Sequence, residues 1–323
     1  MTAVDRLDVS RFADRFAGIA DNIERVIQGK RSPIEQLLTC LIAEGHVLIE
    51  DVPGVGKTLL AKSLARSIDC EFNRIQFTPD LLPSDVTGVS IWDRQESAFV
   101  FKPGAIFANI VVGDEINRAS PKTQAALLEA MEERQVTTDG KTKLLPEPFM
   151  VVATQNPIEH EGTYPLPEAQ LDRFMMRVSV GYPSRDKELE MLETHSLRST
   201  FEDLEPVVSA GEVGAMIEIA RRVEVVPAVR SYIIDIVEGT RRHPEVLLGA
   251  SPRSALYLQK ASRARAASEE RDYVTPDDVK TLAGSVLEHR LAFRPEAQMR
   301  GVTSGELIAS VLGSTRIPIH RTS

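Results

Sequence analysis

Cysteine is scarce. Cys40 and Cys70 are the two in 323 residues, and neither has a histidine or another cysteine at metal-ligand spacing. That excludes a disulfide scaffold and a zinc site, and it makes the cytosol the expected compartment. Long apolar runs are missing as well, since none approaches the roughly 18 residues a membrane span would need. Positive charge is in deficit: 38 Lys and Arg stand against 47 Asp and Glu, a net charge of −9 that opposes non-specific attraction to nucleic acid or anionic lipid. Aromatic residues make up 5% of the chain and form no stacking series of the kind that grips single strands. Internal repeats and low-complexity linkers are absent, so separate domains would have to pack directly on one another.

What is present is the composition of a globular protein, 42% hydrophobic and 26% charged, in a chain too long for one ordinary core. Two domains are expected. The opening MTAVDRLDVSRFADRFAG is amphipathic and mixed in charge, and reads as a folded helix and not as a secretory signal. Short apolar runs recur at 46–50 (HVLIE), 72–77, 109–113, 148–154 and 174–180, several of them continuous, as parallel strands covered on both faces require. Helical patterns lie between them. Leu60, Leu64 and Ile68 recur every four residues, and Ser120-Pro121 supplies an N-cap and a first helical proline. Two stretches, 89–104 and 134–147, break the series and read as inserted hairpins, the second turning at Asp139-Gly140. Beyond about residue 184 helical periodicity dominates, with caps expected at Ser251-Pro252 and Thr275-Pro276. The fold class is therefore α/β, a nucleotide-binding domain over 1–183 that includes the N-terminal helix, followed by a helical lid domain over 184–323.

The segment EDVPGVGKTLLAK, residues 50–62, carries the first chemistry. A phosphate loop needs backbone N–H groups turned inward at a helix N-terminus, a lysine for the outer phosphates and a hydroxyl for magnesium. Pro53, Gly54, Val55, Gly56, Lys57, Thr58 and Leu59 supply those parts in order, so ATP is the expected ligand. The position where the usual pattern begins with glycine is Asp51. It is compatible with phosphate if its carboxylate points away, since the embracing amides come from the later half of the loop. Downstream, NIVVGDEINRA is an apolar strand ending in Asp114 and Glu115 at the carboxyl edge, where open α/β sheets bind ligands. Beside a phosphate loop, Asp114 would complete the Mg2+ shell through water and Glu115 would polarise the attacking water.

This order of motifs, with GDEINRASPKTQAALLEAMEERQVT followed by VVATQNPIEHEGTYPLPEAQLDRF, resembles AAA+ ATPases and in particular the MoxR family. The resemblance covers nearly the whole chain, and its two insertions are similar to the hairpins of the helix-2-insert branch, which also contains magnesium-chelatase ATPase subunits. It implies further roles at matching positions. Asn156, closing a strand, would help orient the attacking water from beside Glu115, or be an ordinary turn residue before Pro157. Arg173 would be an arginine finger acting on the neighbouring subunit's nucleotide, or a surface ion-pair partner. Ile27 falls in the family's adenine-contact region, with plain burial as the other reading. Arg253 would be the second sensor on the lid. Its place in the first turn of a helix capped by Ser251 argues independently for an anion nearby, because the helix dipole disfavours a cation there.

The expectation is a homo-oligomeric ring, hexameric by resemblance, that hydrolyses MgATP and remodels a protein client in complex assembly or metal-cofactor maturation. The partner implied by the family bears a von Willebrand factor A domain and would come from another polypeptide. A nucleic-acid motor is one rival, suggested by Lys141 and Lys143 in the second hairpin and opposed by the charge balance. A non-hydrolysing nucleotide switch is the other, opposed by Lys57, Asp114, Glu115 and Arg173 together. His243 and His289 are expected at helix ends or the surface, Trp92 within the first hairpin, and Glu159 and His160 in the loop after Asn156.

Overall fold

A computed structural model of the chain describes residues 6–95, 97–157, 162–189 and 201–318. Glu159 and His160 lie outside the described residues. Two helices, α1 (Arg6–Glu24) and α2 (Arg31–Ile42), precede strand β1 (Val47–Glu50), whose end runs through the glycine-rich loop into α3 (Lys57–Ser67). Strand β2 (Phe72–Gln76) follows, then the short α4 (Pro83–Thr87) and a hairpin of β3 (Gly88–Asp93) and β4 (Ala98–Pro103). Strand β5 (Ile110–Asp114) leads through a 3-10 turn, Ile116–Arg118, into α5 (Pro121–Glu133). The second hairpin, β6 (Gln135–Thr138) and β7 (Lys141–Leu144), turns on Asp139 at φ 53° and Gly140 at φ 72°, the paired left-handed conformations a two-residue hairpin loop demands. Strand β8 (Met150–Gln155), the single turn α6 (Glu168–Leu171) and β9 (Met176–Val178) complete this half.

The apolar runs β2, β5, β8, β1 and β9 lie side by side in that order, all parallel, with Val47 opposite both Val152 and Met176. β5 is buried along its whole length and β8 up to its last residue, which explains why their sequences are continuously apolar and not alternating. Because the strands are parallel, every loop after a strand emerges at one edge and every loop before a strand at the other.

The second half holds α7 (Ala210–Arg222), α8 (Pro227–Arg242), β10 (Val246–Leu248), α9 (Pro252–Ser268) and α10 (Pro276–Leu287). A 3-10 turn, Glu288–Arg290, then leads to β11 (Ala292–Phe293), α11 (Pro295–Met299) and α12 (Ser304–Ser314). β10 and β11 form a small antiparallel ribbon within the helices. The hydroxyls of Ser120, Ser251 and Thr275 each accept from the backbone N–H three residues on, ahead of Pro121, Pro252 and Pro276. One apolar cluster joins α1, α2 and α3 to the later helices through Phe12, Ile19, Leu38, Leu64, Leu258 and Leu282. The helical half therefore shares its core with the sheet, and truncating Leu258 to alanine would cost about 2–5 kcal/mol. The opposite sheet face is covered by α5 around Phe77, Leu127 and Phe149.

Three minor expectations resolve here. Trp92 packs edge-on against Phe99 at 5.2 Å within the first hairpin, yet both remain exposed. His243 sits at the C-terminal end of α8. His289 occupies the 3-10 turn but is buried, with Nε2 3.1 Å from the carbonyl of Phe174, so it is a helix-end residue that never reaches the surface.

Candidate active site

The loop after β1 takes its shape from its glycines. Gly54 and Gly56 have φ of 85° and 88°, which side-chain-bearing residues adopt only under strain, and Gly56 caps α3 from that conformation. Lys57 and Thr58 thus begin a helix whose free N–H groups and positive dipole end face the loop. Lys57 Nζ donates to the carbonyl of Asp51 at 2.6 Å and lies 3.5 Å from that of Gln155. Burial holds its pKa below the ordinary lysine value, against the pull of Asp51, Asp114, Glu115 and Glu50. Ile27 is buried close to the loop, so that a Cβ on Gly56 would stand 3.8 Å from its Cδ1.

Asp51 does point away. Its Oδ2 accepts from Ser179 Oγ at 3.0 Å and from the backbone N–H groups of Val180 and Gly181 at 2.8 and 2.6 Å, while Oδ1 accepts from Val52 N–H at 2.9 Å. Burial alone would raise its pKa, but the bonds from Gly181, Ser179, Val52 and Val180 hold the carboxyl below its ordinary value. Where other loops of this type have glycine, this one is stapled to the chain leaving β9.

Asp114 and Glu115 end β5 beside that loop. Thr58 Oγ1 lies 3.1 and 3.3 Å from the two Asp114 oxygens, and Thr154 on β8 donates to Asp114 at 3.2 Å and accepts from Glu115 N–H at 3.0 Å. The hydroxyl and carboxylate oxygens are a hard donor set that suits Mg2+, and four carboxylates around one lysine leave negative charge for a cation to offset. Glu115 takes a left-handed conformation at φ 58°, a cost of order 1–3 kcal/mol for a non-glycine residue, and its Oε2 accepts from Gln76 and Arg118 at 3.1 Å each. Arg74 donates to Asp114 at 2.6 Å and to Gln76 at 2.8 Å. Asn156 follows β8 at the same edge, partly buried. Thr154, Arg74 and Gln76 carry no motif of their own, and their part emerges only from the sheet order, which puts β2 and β8 on either side of β5, whereas Arg118 meets Glu115 locally, three residues on.

Arg173 and Arg253 are elsewhere. Arg173 precedes β9, whose Met176 pairs with Val47 at the start of β1, whereas Lys57 follows the end of β1. Strand β1 alone spans about 13 Å, so Arg173 and Lys57 stand at opposite edges of the sheet. Arg173 donates to the carbonyl of Leu128 at 2.7 Å and pairs with Glu132 Oε2 at 3.1 Å, while Arg253 pairs with the other oxygen of the same Glu132. The three side chains remain 31, 36 and 35% exposed in the order Arg173, Glu132, Arg253. The anion that the first-turn position of Arg253 calls for is, in the isolated chain, Glu132.

Comparison with known proteins fits this geometry. Residues 46–176 match the family described as "ATPase family associated with various cellular activities (AAA)", and residues 238–311 match the AAA lid domain. The chain is 49% identical over 303 residues to the uncharacterized protein YeaC of Bacillus subtilis, covering 94% of this chain and 95% of that one. It is 41% identical over 305 residues to chaperone MoxR1 of Mycobacterium tuberculosis, covering 92 and 80% respectively. A crystal structure from Cytophaga hutchinsonii, provisionally described as an ATPase, superposes with a TM-score of 0.90 at 37% identity over 97% of each chain.

Proposed function

The chain belongs to the MoxR family of AAA+ ATPases, and on that footing we propose that it binds and hydrolyses MgATP in a ring of identical subunits and spends the cycle remodelling a protein client. The observation that carries this reading is the division of charged groups between the two edges of the sheet. At the carboxyl edge, the amides of residues 54–59 embrace the phosphates, Lys57 leaves the two carbonyls that hold it and reaches the β/γ-phosphates, and Ile27 packs beside the base. Thr58 directly, and Asp114 through water, would hold Mg2+, which when bound neutralises charge on the β- and γ-phosphates. Glu115 polarises the attacking water once it releases Gln76 and Arg118, and Asn156 orients that water. The other cations described at this edge, Arg74 and Arg118, lie on Asp114 and Glu115, and a cation for the charge that develops on the transferred phosphoryl group is supplied, on this reading, by a neighbouring subunit.

Arg173 and Arg253 are that supply, delivered to the next subunit. Both sit at the far edge, both are bound to one exchangeable carboxylate, and Leu256, one turn beyond Arg253, is 61% exposed, as a contact face for a second copy requires. On this reading Arg253 acts in trans together with Arg173.

The two hairpins are the client side. Val89, Trp92, Phe99 and Leu144 are exposed on them, and Lys143 lies 4.4 Å over the Phe101 ring, tying the second hairpin to the first. That contact employs one of the two lysines that suggested a nucleic-acid grip. Work in the cytosol on complex assembly or metal-cofactor maturation, alongside a partner with a von Willebrand factor A domain, is the role that family membership supports. No described helix is long and apolar enough to cross a membrane.

Glu115→Gln tests the reading. It keeps shape and hydrogen bonding while removing the charge on the base, so ATP should stay bound and turnover should fall about 10²-fold or more. Turnover near the wild-type rate would place the general base elsewhere.

A further inference from the structure

In the stretch bearing Arg173 the N–H groups of residues 172–174 donate to the carbonyls of 168, 170 and 171 and that of Met175 to His46, while the carbonyls are held by lid side chains. Arg290, 5% exposed, donates to Asp172 Oδ1 at 2.8 Å and to the carbonyls of Asp172 at 3.2 Å, Phe174 at 2.6 Å and Met175 at 3.3 Å, with a further bond to Val286. Tyr257 donates to the one carbonyl in that run that Arg290 leaves, that of Arg173 itself, at 3.3 Å, and its ring lies 5.3 Å from the Arg290 guanidinium. Ser251, the cap of the helix that begins with Pro252 and Arg253, donates to both oxygens of Asp172 at 3.0 Å. Every carbonyl from 172 to 175 thus has a partner from the lid, and the residue that caps the helix of Arg253 grips the neighbour of Arg173.

This is a costly way to build a plain domain contact. A guanidinium taken out of water must recover its hydration in fixed bonds, and an apolar residue would join two helices more cheaply. What the arrangement achieves is a set distance between the two arginines. We propose that Arg290 is a positioning residue for the trans-acting site: its fork of donors locks the backbone of Arg173 to the lid, so that Arg173 and Arg253 present to the neighbouring subunit as one rigid pair. Lysine cannot do this, having a point charge in place of a planar fork of five N–H groups. The inference rests on the ring reading above and deepens it.

The test is a complementation with direction. Arg290→Lys should retain ATP binding, measured with a fluorescent ATP analogue, because its own phosphate loop lies at the opposite sheet edge, while its ATPase falls at least about 10-fold. Mixed with Glu115→Gln subunits it should regain activity, since its intact Glu115 then meets an undisturbed Arg173 from the neighbour. Mixed with Arg173→Ala subunits it should regain none, since no interface contains a well-placed finger. Tyr257→Phe, which deletes one hydroxyl bond, should show the same asymmetry at a few-fold and guards against Arg290→Lys failing to fold. Equal rescue by both partners, or by neither while the control pair of Arg173→Ala with Glu115→Gln is active, would overturn the proposal and leave Arg290 a structural tie. Silence of that control pair with subunit exchange demonstrated would take down the ring reading first, and this inference with it.

Discussion

The two edges of the sheet are built on different principles. At the carboxyl edge the ligand groups are largely backbone amides and short side chains placed by the strand-to-loop-to-helix path itself, with Gly54 and Gly56 at positive φ, Lys57 opening a helix and Asp114 closing a strand. At the amino edge they are long arginine side chains, brought together from residues 173 and 253 by one glutamate on α5 and one buried arginine behind them. The first edge is complete enough to hold a nucleotide. At the second, two cations rest on Glu132, and on the proposed reading they are lent to the nucleotide of the neighbouring subunit. A site made of backbone geometry belongs to one chain, whereas a site made of extended charged side chains at a rim can be lent to another.

The sharpest break in that comparison is Arg173→Ala. Arginine fingers contribute roughly 10³–10⁵ in turnover, so the variant should be nearly inactive while binding ATP normally, as steady-state ATPase and equilibrium titration would record. Lys57→Ala does the reverse at the other edge. It removes the main positive charge on the phosphates, and affinity for a fluorescent ATP analogue should fall by about 10-fold or more. Unchanged affinity would sink the phosphate-loop assignment. A third variant asks whether the hairpins belong to either edge: replacing residues 137–143 with a minimal turn should spare basal ATPase and abolish stimulation by a client or partner. Equal loss of both would make the second hairpin structural.

The smallest expected effect concerns Asp51. Its carboxylate ties the loop to residues 179–181, so Asp51→Asn should lower stability by about 1–3 kcal/mol and leave ATP affinity unchanged. Because the folded-state pKa is lowered, the stabilisation is present above the unfolded value of about 4 and is lost as pH falls through the folded value. The gap between wild type and variant in denaturant melts should therefore be full near pH 7 and close below about pH 4. A gap that widens on acidification would contradict the assignment.

How much of this the sequence discloses follows the same divide. The five strands, both hairpins and the caps at Ser120, Ser251 and Thr275 are legible because each is a local pattern of apolar period, turn residue or capping hydroxyl. Lys57, Thr58, Asp114 and Glu115 are legible for the same reason. The partners of the Asp51 Oδ2 are not, since they lie 128 to 130 residues away and two of them are backbone N–H groups that any residue could offer. Glu132 sits among four glutamates between 129 and 147 that are alike in sequence, along with Glu133 and Glu147, and only the turn of α5 selects it. Arg290 reads as one more charge after a helix, and its burial depends on the carbonyls of 172–175 arriving from the other half of the chain. Arg253 stands between these cases: the first-turn argument calls for an anion but cannot name Glu132.

The central claim is that one active centre is assembled from the carboxyl edge of one subunit and the amino edge of the next. Mixing Arg173→Ala with Glu115→Gln tests it most directly. Each variant alone should be inactive, yet in mixed rings some interfaces pair an intact Glu115 with a neighbour's intact Arg173, and ATPase should return in proportion to those interfaces. A mixture that stays inactive while labelled subunits are seen to exchange would contradict the account, because Arg173 would then act within its own chain or not at all.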